Sequence, residues 1–151
     1  MEKIFEGEPW SFDKHLVLIQ RYDYSIPACE LVFDQVSLWV QVHDIPFCYL
    51  SRRVAEDLCA AVGTVNKNSS DVEVDKGCVM RVRVRVDISL PLCRGRVISL
   101  ENGSKGWVSF RYEHLPNICY WSGCLNHFDK DCDLWIESNA SLTQADQQYG
   151  P

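Results

Sequence analysis

Residues 79–90 read VMRVRVRVDISL, and the fold class turns on this stretch. Met80, Val82, Val84, Val86 and Ile88 alternate with Arg81, Arg83, Arg85 and Asp87. A period of two puts the first set on one face of a β-strand and the second on the other. Pro91 closes the strand, because proline has no backbone donor for a ladder. Working outward, residues 37–46, SLWVQVHDIP, repeat the pattern. Leu38, Val40 and Val42 alternate with Trp39, Gln41 and His43, and Pro46 ends the run. Residues 95–116, GRVISLENGSKGWVSFRYEHLP, predict a β-hairpin turning at Asn102-Gly103. Residues 51–63, SRRVAEDLCAAVG, predict a helix. Ser51 suits its N-cap, Val54, Leu58 and Val62 recur at helical spacing, and Gly63 suits its end. The polar run TVNKNSSDVEVD at 64–75 predicts a short strand and a loop. Upstream, HLVLIQRY at 15–22 predicts a strand, and SIPACELVFDQ at 25–35 an irregular linker. The expectation is an α+β domain: a mainly antiparallel sheet with one helix on its apolar face. The opposite face carries the arginines.

Composition narrows the classes. An apolar share of 46% suits a packed domain. No run of eighteen apolar residues is present, and the start has no basic-then-apolar leader. The expectation is an intracellular protein of nucleus or cytoplasm, with no membrane partner and reduced thiols. Eight cysteines therefore argue little for disulfides. Cys29, Cys48, Cys59, Cys78 and Cys93 are scattered, and read as buried small hydrophobes or free thiols. The sequons at Asn68, Asn102 and Asn139 matter only in a secreted chain. Net charge is −6, but it is unevenly spread. Between Arg81 and Pro116 stand seven basic and three acidic residues, flanked by acidic segments. A basic strip of this kind can serve a polyanion within an acidic chain.

Residues 119–132, CYWSGCLNHFDKDC, hold three cysteines and a histidine. Cys119, position 122, His127 and Cys132 give C-x2-[C]-x4-H-x4-C, the spacing of a zinc knuckle. A structural zinc takes four thiolate or imidazole ligands, and short spacings put them on tight turns. Gly123 stands where the chain must turn sharply. The second ligand position, however, holds Ser122. A hydroxyl stays protonated near neutral pH and is a poor ligand beside a thiolate. Water in the fourth position, or Cys124 swinging in, are two repairs; an empty relic is the third outcome. Tyr120, Trp121 and Phe128 give the clip aromatic surface, of the kind that stacks on unpaired bases.

This clip, with RYEHLPNIC before it, resembles the knuckle of plant zinc-knuckle proteins of retrotransposon origin, similar to the first open reading frame of plant LINE elements. The likeness continues through PWSFDKHLVLIQRYD, FDQVSLWVQVHDIP and VMRVRVRVDISLPLCRGRVISL, from Glu8 to Cys132. It implies a chain that begins inside an upstream domain of unknown function. Residues 1–26 are then that domain's end, 27–116 the sheet domain, 117–133 the knuckle, and 134–151 a loose polar tail. It also implies binding of single-stranded RNA or DNA, with zinc as structural cofactor, weakened or lost through Ser122.

Alternate residues of a strand lie about 6–7 Å apart. Arg81, Arg83 and Arg85 would then form a ladder along a phosphate backbone, with Arg94 and Arg96 nearby. The plainer alternative is a solvated sheet face whose charges pair with carboxylates on adjacent strands. His43 and His114 read as structural or exposed, and Trp10, Trp39 and Trp107 as sheet or core residues. NGSKG lacks the spacing of a phosphate loop. No local signature supports a Cys–His catalytic pair or a hydrolytic zinc, so no enzymatic activity is expected. The competing expectation is an inert or protein-interaction remnant whose degenerate knuckle holds no zinc.

Overall fold

A computed structural model describes residues 2–67, 74–75, 79–138, 141–147 and 149. Cys78, Asn68 and Asn139 lie outside them, as does much of the 64–75 run. The chain forms two compact units. One comprises Met1–Val36, Asp87–Leu92 and Leu115–Pro151; the other comprises Ser37–Val86 and Cys93–His114. The fold is α+β, with mostly antiparallel sheet and few helices.

The second unit is built on a six-stranded sheet. Its strands are β3 (Gln35–His43), β4 (Thr64–Val65), β5 (Val74–Asp75), β6 (Val79–Asp87), β7 (Gly95–Ser99) and β8 (Lys105–Tyr112). They run in the order β4-β6-β3-β8-β7, with β5 also beside β6. The alternation read from sequence is the alternation of burial, except at Arg83, which is buried as well. On one face Leu38, Val40, Val42, Val84 and Val108 are fully buried, with Met80, Val82 and Val86 nearly so. Each such side chain contributes about 1.5–3 kcal/mol of burial free energy. Helix α2 (Arg52–Cys59) adds buried Ala55, Leu58 and Cys59. Burial pushes the Cys59 thiol up to about 12, the behaviour of a core residue and not of a nucleophile.

Ser51 is the N-cap, its hydroxyl accepting from the Val54 amide at 3.3 Å. The helix ends at Cys59, short of the predicted Gly63. Tighter bonds, Ala61 N to Leu58 O and Val62 N to Cys59 O, close it instead. Gly63 serves close approach: a Cβ there would stand 2.2 Å from the Arg85 carbonyl oxygen. The β7–β8 hairpin turns as predicted, with Gly103 at φ +78°.

The first unit carries α1 (Glu2–Glu6), a hairpin of β1 (Trp10–Phe12) and β2 (His15–Val17), and α3 (Asp133–Glu137). The predicted strand at 15–22 shrinks to β2, because its partner ends at Trp10, opposite Val17. Asp13 and Lys14 turn the hairpin with φ of 47° and 66°, the signs of a type I′ turn. Segment 87–92 bonds to the clip: Leu92 N to Gly123 O at 2.9 Å, and Leu125 N to Ile88 O at 3.2 Å. Ile88, Leu92, Leu125, Cys119, Cys124 and Cys132 are buried there. Helix α3 runs through Glu137, past Trp135, where the sequence predicts loose chain. Trp135 is held by stacking on Trp121, with ring centroids 5.1 Å apart and planes 13° apart.

Candidate functional site

The clip folds on itself through backbone bonds. Gly123 N donates to Cys119 O at 2.8 Å, and Cys119 N to Cys124 O at 3.0 Å. The turn needs φ +75° at Gly123, and the Tyr149 ring lies where a Cβ would project. Asp129 secures the far side, its carboxylate accepting from the Tyr120 amide at 2.6 Å.

This turn brings Cys119, His127 and Cys132 together. Their ligand atoms all lie within 4.8 Å of one another, and both cysteines are buried. Ligands of one tetrahedral zinc stand roughly 3.3–3.8 Å apart, given bonds of about 2.0–2.3 Å. The group therefore fits zinc after a contraction of about an ångström. Asn126 Oδ1 accepts from His127 Nδ1 at 2.7 Å, which leaves Nε2 as the nitrogen with a lone pair. Ser122 Oγ is 3.1 Å from that Nε2, within hydrogen-bond distance. Burial raises the Cys119 thiol above its ordinary pKa, against the lowering effect of hydrogen bonds from Ser122.

Cys124 stands apart from this group. Its amide donates to Ser122 Oγ at 3.3 Å, and its thiol to the Ser89 carbonyl at 3.5 Å. The rearranged ligand set through Cys124 is not the arrangement found. The bonds that make the turn point its sulfur toward segment 87–92.

The arginines of the expected ladder differ in their surroundings. Glu113 grips Arg81 with both oxygens, to Nε at 2.8 Å and Nη2 at 2.7 Å. Burial alone would raise the Glu113 pKa. The hydrogen bonds from Arg81 and Gln41 outweigh it and hold the carboxyl below its ordinary value. Arg81 and Arg83 both lie over the Trp39 ring, at 4.5 and 5.3 Å, and Arg83 is buried. Arg85 alone of the three is exposed. Arg96 belongs to the opposite sheet face. It pairs with buried Val108, and its Nη1 donates to the Asp57 carbonyl of α2. Arg94 is exposed, between β6 and β7. Sequence reasoning missed Arg111, which is exposed and pairs with Gln41 on the arginine side of the sheet.

The predicted stacking residues diverge. Tyr120 lines an open cleft, whereas Trp121 is covered by Trp135. No helix of the described residues is long and apolar enough to cross a membrane.

The comparisons with known proteins fit this geometry. The chain is 25% identical over 130 residues to Uncharacterized protein At4g02000 of Arabidopsis thaliana. That alignment takes in 85% of this chain and 41% of the relative, so the chain spans under half of that protein's length. No solved structure matches. Residues 86–134 match the family model of the zinc knuckle, a stretch that starts at the segment bonded to the clip and contains Cys119, His127 and Cys132.

Proposed function

We propose that this chain is a non-enzymatic binder of single-stranded RNA or DNA whose knuckle is held in shape by zinc. The observation that carries this reading is the convergence of Cys119, His127 and Cys132 within 4.8 Å, inside a zinc-knuckle match. Those three residues would hold the ion, with the Ser122 hydroxyl at the fourth corner. Zinc supplies a cross-link that a loop too small for its own core requires. Serine in place of cysteine makes the hold weaker than a four-ligand knuckle. Phosphate contacts on the sheet are assigned to Arg85 and Arg111 because both are exposed, whereas Arg83 is buried and Arg81 is half-buried against Glu113. The plant retrotransposon origin rests on the sequence resemblance, and the Arabidopsis relative supports the plant part of it.

The test is zinc content per chain together with anisotropy of a short fluorescein-labelled single strand. One zinc per chain and binding that a chelator abolishes are expected. A second reading, a protein-interaction remnant, is favoured by the Trp121–Trp135 stack and the Arg81–Glu113 pair. It expects no strand binding at physiological salt, whether or not zinc is present.

A further inference from the structure

With Trp121 stacked on Trp135, the clip's open aromatic surface lies elsewhere. His15, at the start of β2, meets Phe128 of the clip edge to face, with centroids 4.7 Å apart and planes at 81°. Two clefts flank this pair. One, of about 450 Å³, is lined by His15, Asn117, Tyr120, Phe128 and Lys130, among others. The other, of about 440 Å³, shares His15, Asn117 and Phe128 and reaches Lys14 and His127. Both volumes fall within the range of small-ligand sites, about 300–1,000 Å³.

The pair is fixed from both sides. The Asp13 carbonyl accepts from His15 Nδ1 at 2.8 Å, which sets the ring's tilt and leaves Nε2 as an acceptor. Asn117 N donates to the Lys14 carbonyl at 3.4 Å, tying the chain before the clip to the hairpin turn. Ring faces, an amide side chain, and one lysine per cleft are the chemistry that holds an unpaired base and its phosphate. Carboxylates temper the charge: Asp129 lines the first cleft and Asp131 the second. Stacking must therefore carry more of the affinity here than charge does.

We infer that the two clefts beside the His15–Phe128 pair take successive unpaired nucleobases of a single strand, so that the upstream hairpin, and not the clip alone, forms the reading surface. This rests on the nucleic-acid reading proposed above. The probe is a short fluorescein-labelled single-stranded RNA of mixed sequence, with DNA of the same sequence, titrated into the zinc-loaded full chain. His15→Ala should weaken binding roughly tenfold, the effect of losing one stacked ring. His15→Phe, which keeps a ring, should stay near wild type. The His15 Cε1–H resonance of wild type should shift on titration. Binding by wild type with no loss in His15→Ala and no shift of that resonance overturns the clefts and leaves nucleic-acid binding standing. Equal losses in His15→Ala and His15→Phe overturn the stacking role. No binding of either strand by zinc-loaded wild type overturns both readings together.

Discussion

Ser122 Oγ sits 3.1 Å from His127 Nε2, about the distance between two ligands of one ion. A thiol at this position would ionise on the metal, where a hydroxyl does not. Four-ligand knuckles bind zinc with roughly 10–16 kcal/mol, so one ligand is worth about 3 kcal/mol. Ser122→Cys should therefore raise zinc affinity about a hundredfold, measured by competition with a chelating dye. Unchanged affinity would show that Ser122 is not the weak corner. Glu113 is the second residue on which much depends. Its carboxyl titrates below its ordinary range, so the stabilisation is complete above the unfolded value and fades as pH falls through the folded one. Glu113→Gln should cost about 1–3 kcal/mol near neutral pH and flatten the acid limb of the stability curve. Urea midpoints across pH would check this; a variant with the parent's acid limb would show that the pair is not the titrating element.

Among the elements, β6 shows how one strand serves two purposes. Its valines close the core, while two of its arginines are held by named neighbours, Arg81 by Glu113 and Arg83 by Trp39, and Arg85 is exposed. The chain after α2 reaches β6 only because position 63 has no side chain. Gly63→Ala would force a Cβ to within 2.2 Å of the Arg85 carbonyl, which is backbone and cannot rotate away. A loss of about 2 kcal/mol or more is expected, from the usual cost of overpacking. Thermal unfolding of the variant would measure it, and a Tm equal to that of the parent would contradict the close approach. The β1–β2 hairpin matters in the same way. Its turn at Asp13-Lys14 places His15 against Phe128.

For the whole molecule, the decisive quantity is a net charge of −6 carried by a chain with a locally basic sheet. If Arg85 and Arg111 meet phosphates there, replacing both by glutamine should make the slope of log K against log salt shallower by about 1.4, at roughly 0.7 per phosphate on a single strand. Anisotropy titrations from low to physiological salt would give the slope. An unchanged slope in that double variant would remove the two arginines from the interface. The 25% identity extends over 85% of this chain but 41% of the relative, so the partners of a whole protein of that kind need not be those of this chain.

Periodicity by itself determined the sheet strands β3, β6 and β8, the β7–β8 hairpin and the Ser51 cap, because burial on one face imposes a pattern readable at each residue. Ligand spacing did the same for Cys119, His127 and Cys132, which are close in sequence because the turn that joins them is short. Only the tertiary structure decided which arginines are spoken for, since Glu113 lies 32 residues from Arg81 and its partner cannot be read from either strand alone. It also separated Arg96 from Arg85, because the register of β7 against β8 fixes the face. The same holds for Trp121 and His15: one ring is covered and the other exposed by contacts that no local pattern encodes.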